Sequence, residues 1–472
     1  MADMDMMKLN GRYEILTSAS SVTEKNVVQV LSRALGTHHI NSAQIDYLYR
    51  YVKGEQPILG RVKKIRPDIC NRVVENHASE IANFTSGYFM GEPVTYVRRG
   101  DREVASEAIG ILNDYMFFEN KASHDKELAT WMAICGLGYR MVLPDRTAGT
   151  VPDEAPFEID TPDPRSTFIV YHAGFGKKPM LGVRVIVRET DDGSQKVTYS
   201  CYTDRQYFEI QNSAIIKAEN HSMGQIPIFE YRLNMTRMGA FEPAIHLLDA
   251  INKVTSNRMD GLEQFIQSFL KFKNCEMSDE DIKKLPELGA ISVRSENGVD
   301  ADVDLIAREL NQQQVQTLVD YLYDQVLVIC GMPTTKKGGT STSDTGAAVL
   351  LRDGWQQCEA RARDTELLFK RAEKEFLRLV LSITRSISNL DLSLSEVECK
   401  FTRRQHDNLL TKTQSLLHML EAGLHPQVAI ATSGLFNDPM DVYEQSKKFL
   451  AKWDHVPIAE EEPDDEEPVS DS

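Results

Sequence analysis

AIHLLDAINKVTSNRMDGLEQFIQSFLKF, residues 244–272, and ELNQQQVQTLVDYLYDQVLVIC, residues 309–330, decide the fold. In the first, Leu248, Ile251, Leu262, Phe265, Ile266 and Phe269 keep to helical spacing. In the second, Val315, Leu318, Leu322, Val326 and Ile329 form one stripe. Two long amphipathic helices therefore bracket a short insert. Within it, Ser278-Asp-Glu-Asp281 has the pattern of a capping box. Asn297-Gly298, the preferred residues of a tight hairpin turn, separate Ala290–Val293 from Val299–Ile306. The second of those strands alternates apolar residues with Asp300, Asp302 and Asp304, and a solvated edge strand is the plainer reading of that acidic comb.

Downstream, Gly331 and Pro333 end the second helix, and a pliable loop follows, Pro333-Thr-Thr-Lys-Lys-Gly-Gly-Thr-Ser-Thr-Ser-Asp344. The periodicity then predicts the longest helix, Thr345–Ser388, with a stripe from Leu351 and Trp355 to Ile383 and Ile387. At 1.5 Å per residue it would be about 65 Å long. A strand at Val397–Phe401 and helices at Asn408–Glu421, Gln427–Ser433 and Asp441–Trp453 complete the C-terminal part.

Upstream, the pattern predicts helices over Thr23–Leu35, Asn41–Val52, Asn71–Tyr88, Arg102–Phe118 and Ser123–Cys135. From Gly138 to Tyr231 strands take over. Leu181–Arg188 and Lys196–Tyr202 flank the turn signal Asp192-Gly193, with further strands at Tyr207–Ile210 and Ile226–Tyr231. The acidic, proline-rich stretch Pro144–Pro164 reads as a surface excursion.

At 472 residues the chain calls for several domains or an elongated subunit rather than one core. No run approaches the roughly 20 apolar residues of a membrane helix. Met1–Asn10 lacks the apolar segment of a signal peptide, so the expectation is a soluble intracellular protein without a membrane partner. Seven scattered cysteines read as reduced core thiols, and the histidines are equally dispersed, so no metal site is expected. Seventy acidic residues against 53 basic ones give a net charge of −17, and eight of those acids crowd into Glu460–Ser472, a tail expected to be disordered. The body is acidic too. Such a surface repels phosphate and argues against tight non-specific grip on DNA.

Across Tyr51–Tyr96 stand Gly54, Gln56, Ile58, Arg61, Asn71, Val73, Val74 and Asn76, then Gly87-Tyr88 and Gly91-Glu-Pro-Val94. Gly224-Gln-Ile-Pro-Ile228, Asp249-Ala-Ile-Asn252 with Ser256 and Asp260, Gly331-Met-Pro333, Gly346 and Tyr443-Glu-Gln-Ser-Lys447 follow in order. Over about residues 40–450 this set resembles the portal (connector) proteins of tailed bacteriophages, the branch found in siphophages of Gram-positive bacteria. Each motif alone is weak; their order and spacing are specific.

The resemblance implies an α+β, elongated, mainly helical portal-type subunit that assembles into a ring. Its regions would be N-terminal helices and an α/β wing (1–243), a first stem helix (244–272), a clip (273–308) and a second stem helix (309–332). A tunnel loop (333–344), a long wing helix (345–390), a C-terminal strand with a helical crown (391–458) and the acidic tail (459–472) complete it. It further implies a homododecamer at one capsid vertex, assembled in the host cytoplasm, through which double-stranded DNA is packaged, retained and ejected. Implied partners are the large terminase subunit, head-completion and neck proteins, capsid and scaffold proteins, and DNA in transit. In the tunnel loop, Lys336 and Lys337 would offer phosphate contacts, flanked by Thr340, Ser341, Thr342 and Ser343. Taken alone, that loop reads first as a solvated linker with incidental lysines, and the two-helix excursion first as an ordinary helical hairpin.

No G-x-x-x-x-G-K-[ST], H-E-x-x-H, G-x-S-x-G or Cys/His zinc spacing occurs. Gly338–Gly346 has glycines but no lysine where phosphates would need one. The expectation is a non-enzyme without cofactors. A non-channel head-assembly adaptor or scaffold, or a DNA-processing enzyme, are the alternative readings.

Overall fold

A computed structural model describes residues 9, 11–99, 104–145, 154–189, 193, 195–266, 269–273, 302–306, 312–333, 355–401, 409–436 and 439–450. The chain opens with β1 (Ile15–Thr17), α1 (Val27–Val52) and α2 (His77–Phe89), then β2 (Thr95–Arg98), α3 (Val104–Phe118) and α4 (Lys121–Cys135). Strands β3 (Leu137–Pro144), β4 (Phe157–Asp160), β5 (Thr167–His172), β6 (Pro179–Glu189), β7 (Gln195–Tyr202), β8 (Gln206–Gln211), β9 (Ala214–Asn220) and β10 (Ile228–Arg232) follow. Next come α5 (Ile245–Ile266), β11 (Phe269–Lys273), β12 (Asp302–Ile306), α6 (Gln312–Cys330) and α7 (Trp355–Ile387). β13 (Val397–Lys400), α8 (Leu409–Glu421), α9 (Pro426–Ser433) and α10 (Pro439–Leu450) close the described chain.

Strands β1-β5-β6-β7-β8-β9 form one sheet, antiparallel except for the parallel β1–β5 pair. Its apolar face, with Phe168, Val170, Leu181, Val183 and Phe208, packs on the start of α1. A second sheet, β10-β3-β4, lies between α4 and α7, and β2 pairs with β13. α7 is a strongly amphipathic strut, about 50 Å long over its 33 residues. The predicted stripe is its buried face from Cys358 to Ile383, with Ala362, Phe369, Phe376 and Val380 also in the core, whereas Trp355 is half-buried, Ile387 is exposed and Leu351 lies outside the described residues.

Several expectations are corrected. The two helices foreseen over 23–52 are one. Gly36 does not break it, because His38 stacks on Phe168 at 4.2 Å and Asn41 bonds both the N–H and the carbonyl of Tyr13 at 2.9 Å. Tertiary contacts there outweigh the glycine's helix penalty of about 1 kcal/mol. The helix foreseen from Asn71 begins only at His77, with Asn76 as its cap. The strand β9 was not foreseen. Its hairpin turns on Asn212 and Ser213, both at positive φ, without the glycine that normally announces such a turn. Within the supposed surface excursion, Phe157 is fully buried and β4 pairs with β3.

The first long helix stops at Ile266 rather than Phe272. Phe269–Lys273 instead pairs antiparallel with Asp302–Ile306, Lys271 opposite Asp304 and Lys273 opposite Asp302. The foreseen partner Ala290–Val293, the turn Asn297-Gly298 and the start of the acidic comb lie outside the described residues.

Candidate functional site

The helix pair α5–α6 runs antiparallel. Arg258, late in α5, donates to Gln312 (2.7 Å) and Gln316 (2.6 Å) at the start of α6. Pro243, just before α5, and Cys330, at the end of α6, line one cavity of about 520 Å³. Between the helices, Leu248 and Ile251 of α5 share a core with Val326, Leu327 and Cys330 of α6.

Another face of α5 holds a strap, residues 54–76, which opens with a 3-10 turn at Pro57–Gly60 and runs extended from Asn71 to Glu75. Asp249, Asn252, Ser256 and Asp260 recur at helical spacing, so one stripe of α5 is polar; Asp249 is half-buried, and the other three are buried. The reason is visible in the bonding. Asp260 accepts the N–H of Asn71 at 2.7 Å, Ser256 that of Val73 at 3.0 Å, and Asn252 that of Glu75 at 2.8 Å. Steps of four residues on a helix advance about 6 Å. Two residues of extended chain advance about 6.6 Å, so the two rows stay in register over three bonds. Helix side chains thus stand in for a neighbouring strand and satisfy every second amide.

The ends of the strap are tied as well. Gln56 accepts from Asn252 and donates to Asn76 at 3.0 Å, and Asn76 donates to the carbonyl of Val52 at 2.7 Å. Tyr51 donates to Asp249 at 2.8 Å. Asp260 further receives Arg61 at 2.9 Å and Lys63 at 3.1 Å. Burial pushes the Asp260 carboxyl up, but the Asn71 N–H, Lys63, the Asn71 amide and Arg61 outweigh it and hold it below the usual range.

A second buried polar group fastens the strut. Glu373, in the middle of α7, meets Arg140 of β3 at 2.8 Å and Lys121 of α4 at 3.1 Å. Asp125 pairs with the same two cations, and Tyr96 and Tyr231 donate their hydroxyls to Glu373. Two cations and two carboxylates thus cancel in a site sealed from water. Burial raises the Glu373 carboxyl's proton affinity, but Lys121, Arg140 and the tyrosine hydroxyls overcome it, so the group stays ionised.

The loop residues singled out from the sequence, Lys336, Lys337, Thr340, Ser341, Thr342 and Ser343, lie outside the described residues. Both of its described flanks are anchored. Gly331 takes a left-handed φ of +68° at the end of α6, and Arg361 of α7 donates to the carbonyl of Ile329 at 2.9 Å. At the other flank, Trp355 lies against Phe84 and Tyr88 of α2, and Tyr88 donates to Glu359 at 2.9 Å. The structure therefore gathers the scattered motif residues Gln56, Arg61, Asn71, Asn76, Asp249, Asn252, Ser256 and Asp260 into one assembly. The charge network of Lys121, Asp125, Arg140 and Glu373 went unforeseen, since four charges spread over 250 residues of sequence carry no local pattern.

A family model described as "Phage portal protein, SPP1 Gp6-like" matches residues 36–450. The chain belongs to the phage portal protein family. The match takes in the strap, both helices of the pair, the insert, the loop and α7. Among solved structures, the portal chain is similar to one from "Neck of empty GTA particle computed with C6 symmetry". The TM-score is 0.45 at 12% identity, over 76% of this chain and 90% of that one. No curated protein matches the chain. Portal proteins are structural components of the virion, and a portal role is the function of this chain. No helix among the described residues is long and apolar enough to cross a membrane, and none of their carboxylates, histidines and cysteines group as metal ligands.

Proposed function

We propose that the portal chain assembles as a homododecameric ring at one capsid vertex and forms the channel for packaging, retaining and ejecting double-stranded DNA. The observation that carries this reading is the unbroken family match over 36–450, which keeps the helix pair, its insert and the following loop in one order. In it, α5 and α6 are the stem and the 273–308 insert is the clip, with β11–β12 extending it back to Phe269. Residues 1–243 and 345–390 build the wing, and 391–458 the crown.

The loop 333–344 is the tunnel loop. Lys336 and Lys337 offer DNA phosphates contacts that are weak because salt screens them. Weak contact suits a path along which DNA slides, and the chain's net charge of −17 keeps the rest of the surface from gripping. The ring guides passively. The large terminase supplies ATP hydrolysis, and neck, capsid and scaffold proteins dock on the outside. The ring assembles in the host cytoplasm, works without a cofactor and has no enzymatic step of its own.

Negative-stain imaging of the purified protein, with mass measured on the same sample, tests this. Rings with an axial hole and a mass near a dozen subunits are expected. A stable dimer without a hole would overturn the reading in favour of an adaptor. ATP or DNA hydrolysis by the pure chain would overturn it in favour of an enzyme.

A further inference from the structure

The strap and α6 pack on different faces of α5, and each presents an apolar, charged surface left uncovered by the described residues. On the strap, Val62 and Ile65 are both 81% exposed. Around them Gly60-Arg-Val-Lys-Lys-Ile-Arg-Pro67 holds four basic residues and no acid, in a chain that is otherwise acidic. Asp260 and Asp68 pair with three of those bases, which leaves an excess of positive charge. Exposure this high at two β-branched residues on a firmly bonded strap calls for a partner.

α6 offers the complement. Its inward face, Val319, Leu322, Val326, Leu327 and Cys330, is committed to the core beside α5. At helical spacing, Leu318, Tyr321 and Val328 form a second stripe, turned away from α5 and 46%, 59% and 48% exposed. Asp320 and Asp324 stand beside that stripe, and Gln312–Cys330 contains no basic residue. The directions follow from the contacts. Asn252, Ser256 and Asp260 face the strap, whereas Ile251 and Arg258, on a different side of α5, face α6.

We infer that the basic strap around Val62 and Ile65 of one protomer docks on the acidic Leu318–Tyr321–Val328 stripe of a second copy of this chain. The layers strap, α5, α6 and stripe then repeat from copy to copy. Two different surfaces on different faces are what a heterologous, ring-closing contact requires; an isologous dimer would need one self-complementary patch. Charge fixes the pairing, since strap against strap and stripe against stripe each oppose like charges. The exposed apolar side chains favour a protein over DNA as the strap's partner, because phosphate contacts use charge and leave Val62 and Ile65 uncovered.

The inference rests on the ring reading above, and one experiment separates the two. Full-length wild type, the strap variant Val62→Asp/Ile65→Asp and the stripe variant Leu318→Asp/Val328→Asp are weighed by light scattering. Circular dichroism confirms that each is folded, and each is tested for retention of a double-stranded DNA fragment. Wild type should form rings and each variant alone should remain a single chain. An equimolar mixture should give a two-chain species and no rings, since the intact stripe of one variant still accepts the intact strap of the other. An unfolded variant would not produce that dimer. Rings from either variant at wild-type yield would overturn the docking while leaving the ring reading intact. Rings that persist in the strap variant with DNA retention lost would overturn it by assigning the strap to nucleic acid. A wild type that forms no ring would overturn both.

Discussion

Asp260 on α5 accepts the backbone N–H of Asn71, 189 residues earlier in the chain, at 2.7 Å. That bond, with its counterparts at Ser256 and Asn252, fixes an extended segment along a helix with no strand beside it. The strap is therefore held largely by side chains of α5: Asn252, Ser256 and Asp260, joined by Thr255 on Glu75 and Asn257 on Arg61.

Asp260→Ala removes the acceptor for Asn71 and the partner of Arg61 and Lys63. A loss of about 2 kcal/mol is expected, as for a hydrogen bond to a charged group. Hydrogen exchange should show the Asn71 and Val73 amides opening while those of α7 stay protected. The carboxyl is held below its ordinary value, so its contribution is complete above the unfolded pKa and fades as pH falls through the lower folded value.

Glu373→Gln leaves Arg140 and Lys121 buried with one carboxylate between them. Breaking a buried charge group this way costs about 3–5 kcal/mol. The denaturation midpoint should fall accordingly, and α7 should loosen against β10 and α4. The stabilisation from this ionised carboxylate is complete above the ordinary glutamate range and is lost as pH falls from there towards the lower folded value, because the unfolded chain takes up the proton first.

His38 is held neutral. Burial first, and His39 second, lower its pKa to about 4. The unfolded chain binds this proton near pH 6.5, so stability is unpenalised above that value and declines as pH falls from there towards 4. The total cost is about 3 kcal/mol, at 1.36 kcal/mol per pKa unit. His38→Leu should flatten this part of the stability–pH curve in chemical denaturation.

Lys336→Ala/Lys337→Ala should leave the ring intact while lowering DNA retention and weakening its salt dependence. Mass and imaging report the ring, and filled-particle yield reports retention. Loss of the ring itself would show the loop to be structural.

Much of the fold is legible in local pattern. The stripe of α7 from Cys358 to Ile383 obeys the helical period and the β6–β7 hairpin follows its turn signal, whereas Leu262 of the α5 stripe and Leu318 and Ile329 of the α6 stripe are exposed. The errors share one cause. Asn71–Glu75 continues the apolar pattern of α2, yet α5 side chains bond its amides; Phe269–Lys273 continues the helical spacing of α5, yet β12 pairs with it. In both, a partner far along the chain outbid the local preference. The polar residues Asn252, Ser256 and Asp260 were visible as a motif, but their purpose was not.

The order of motifs from Gln56 to Lys447 determined the family, and the periodicity of 244–330 determined that two helices bracket an insert. Those signals are short-range and survive in a linear string. Only the tertiary structure decided that Gln56, Asn76 and Asn252 meet and that Glu373 sits between Arg140 and Lys121. It alone decided that Val62 and Leu318 are left bare on different faces. Each of these is a pairing between distant segments, set by which buried polar groups find a partner once the chain is packed, and no window of sequence contains both members.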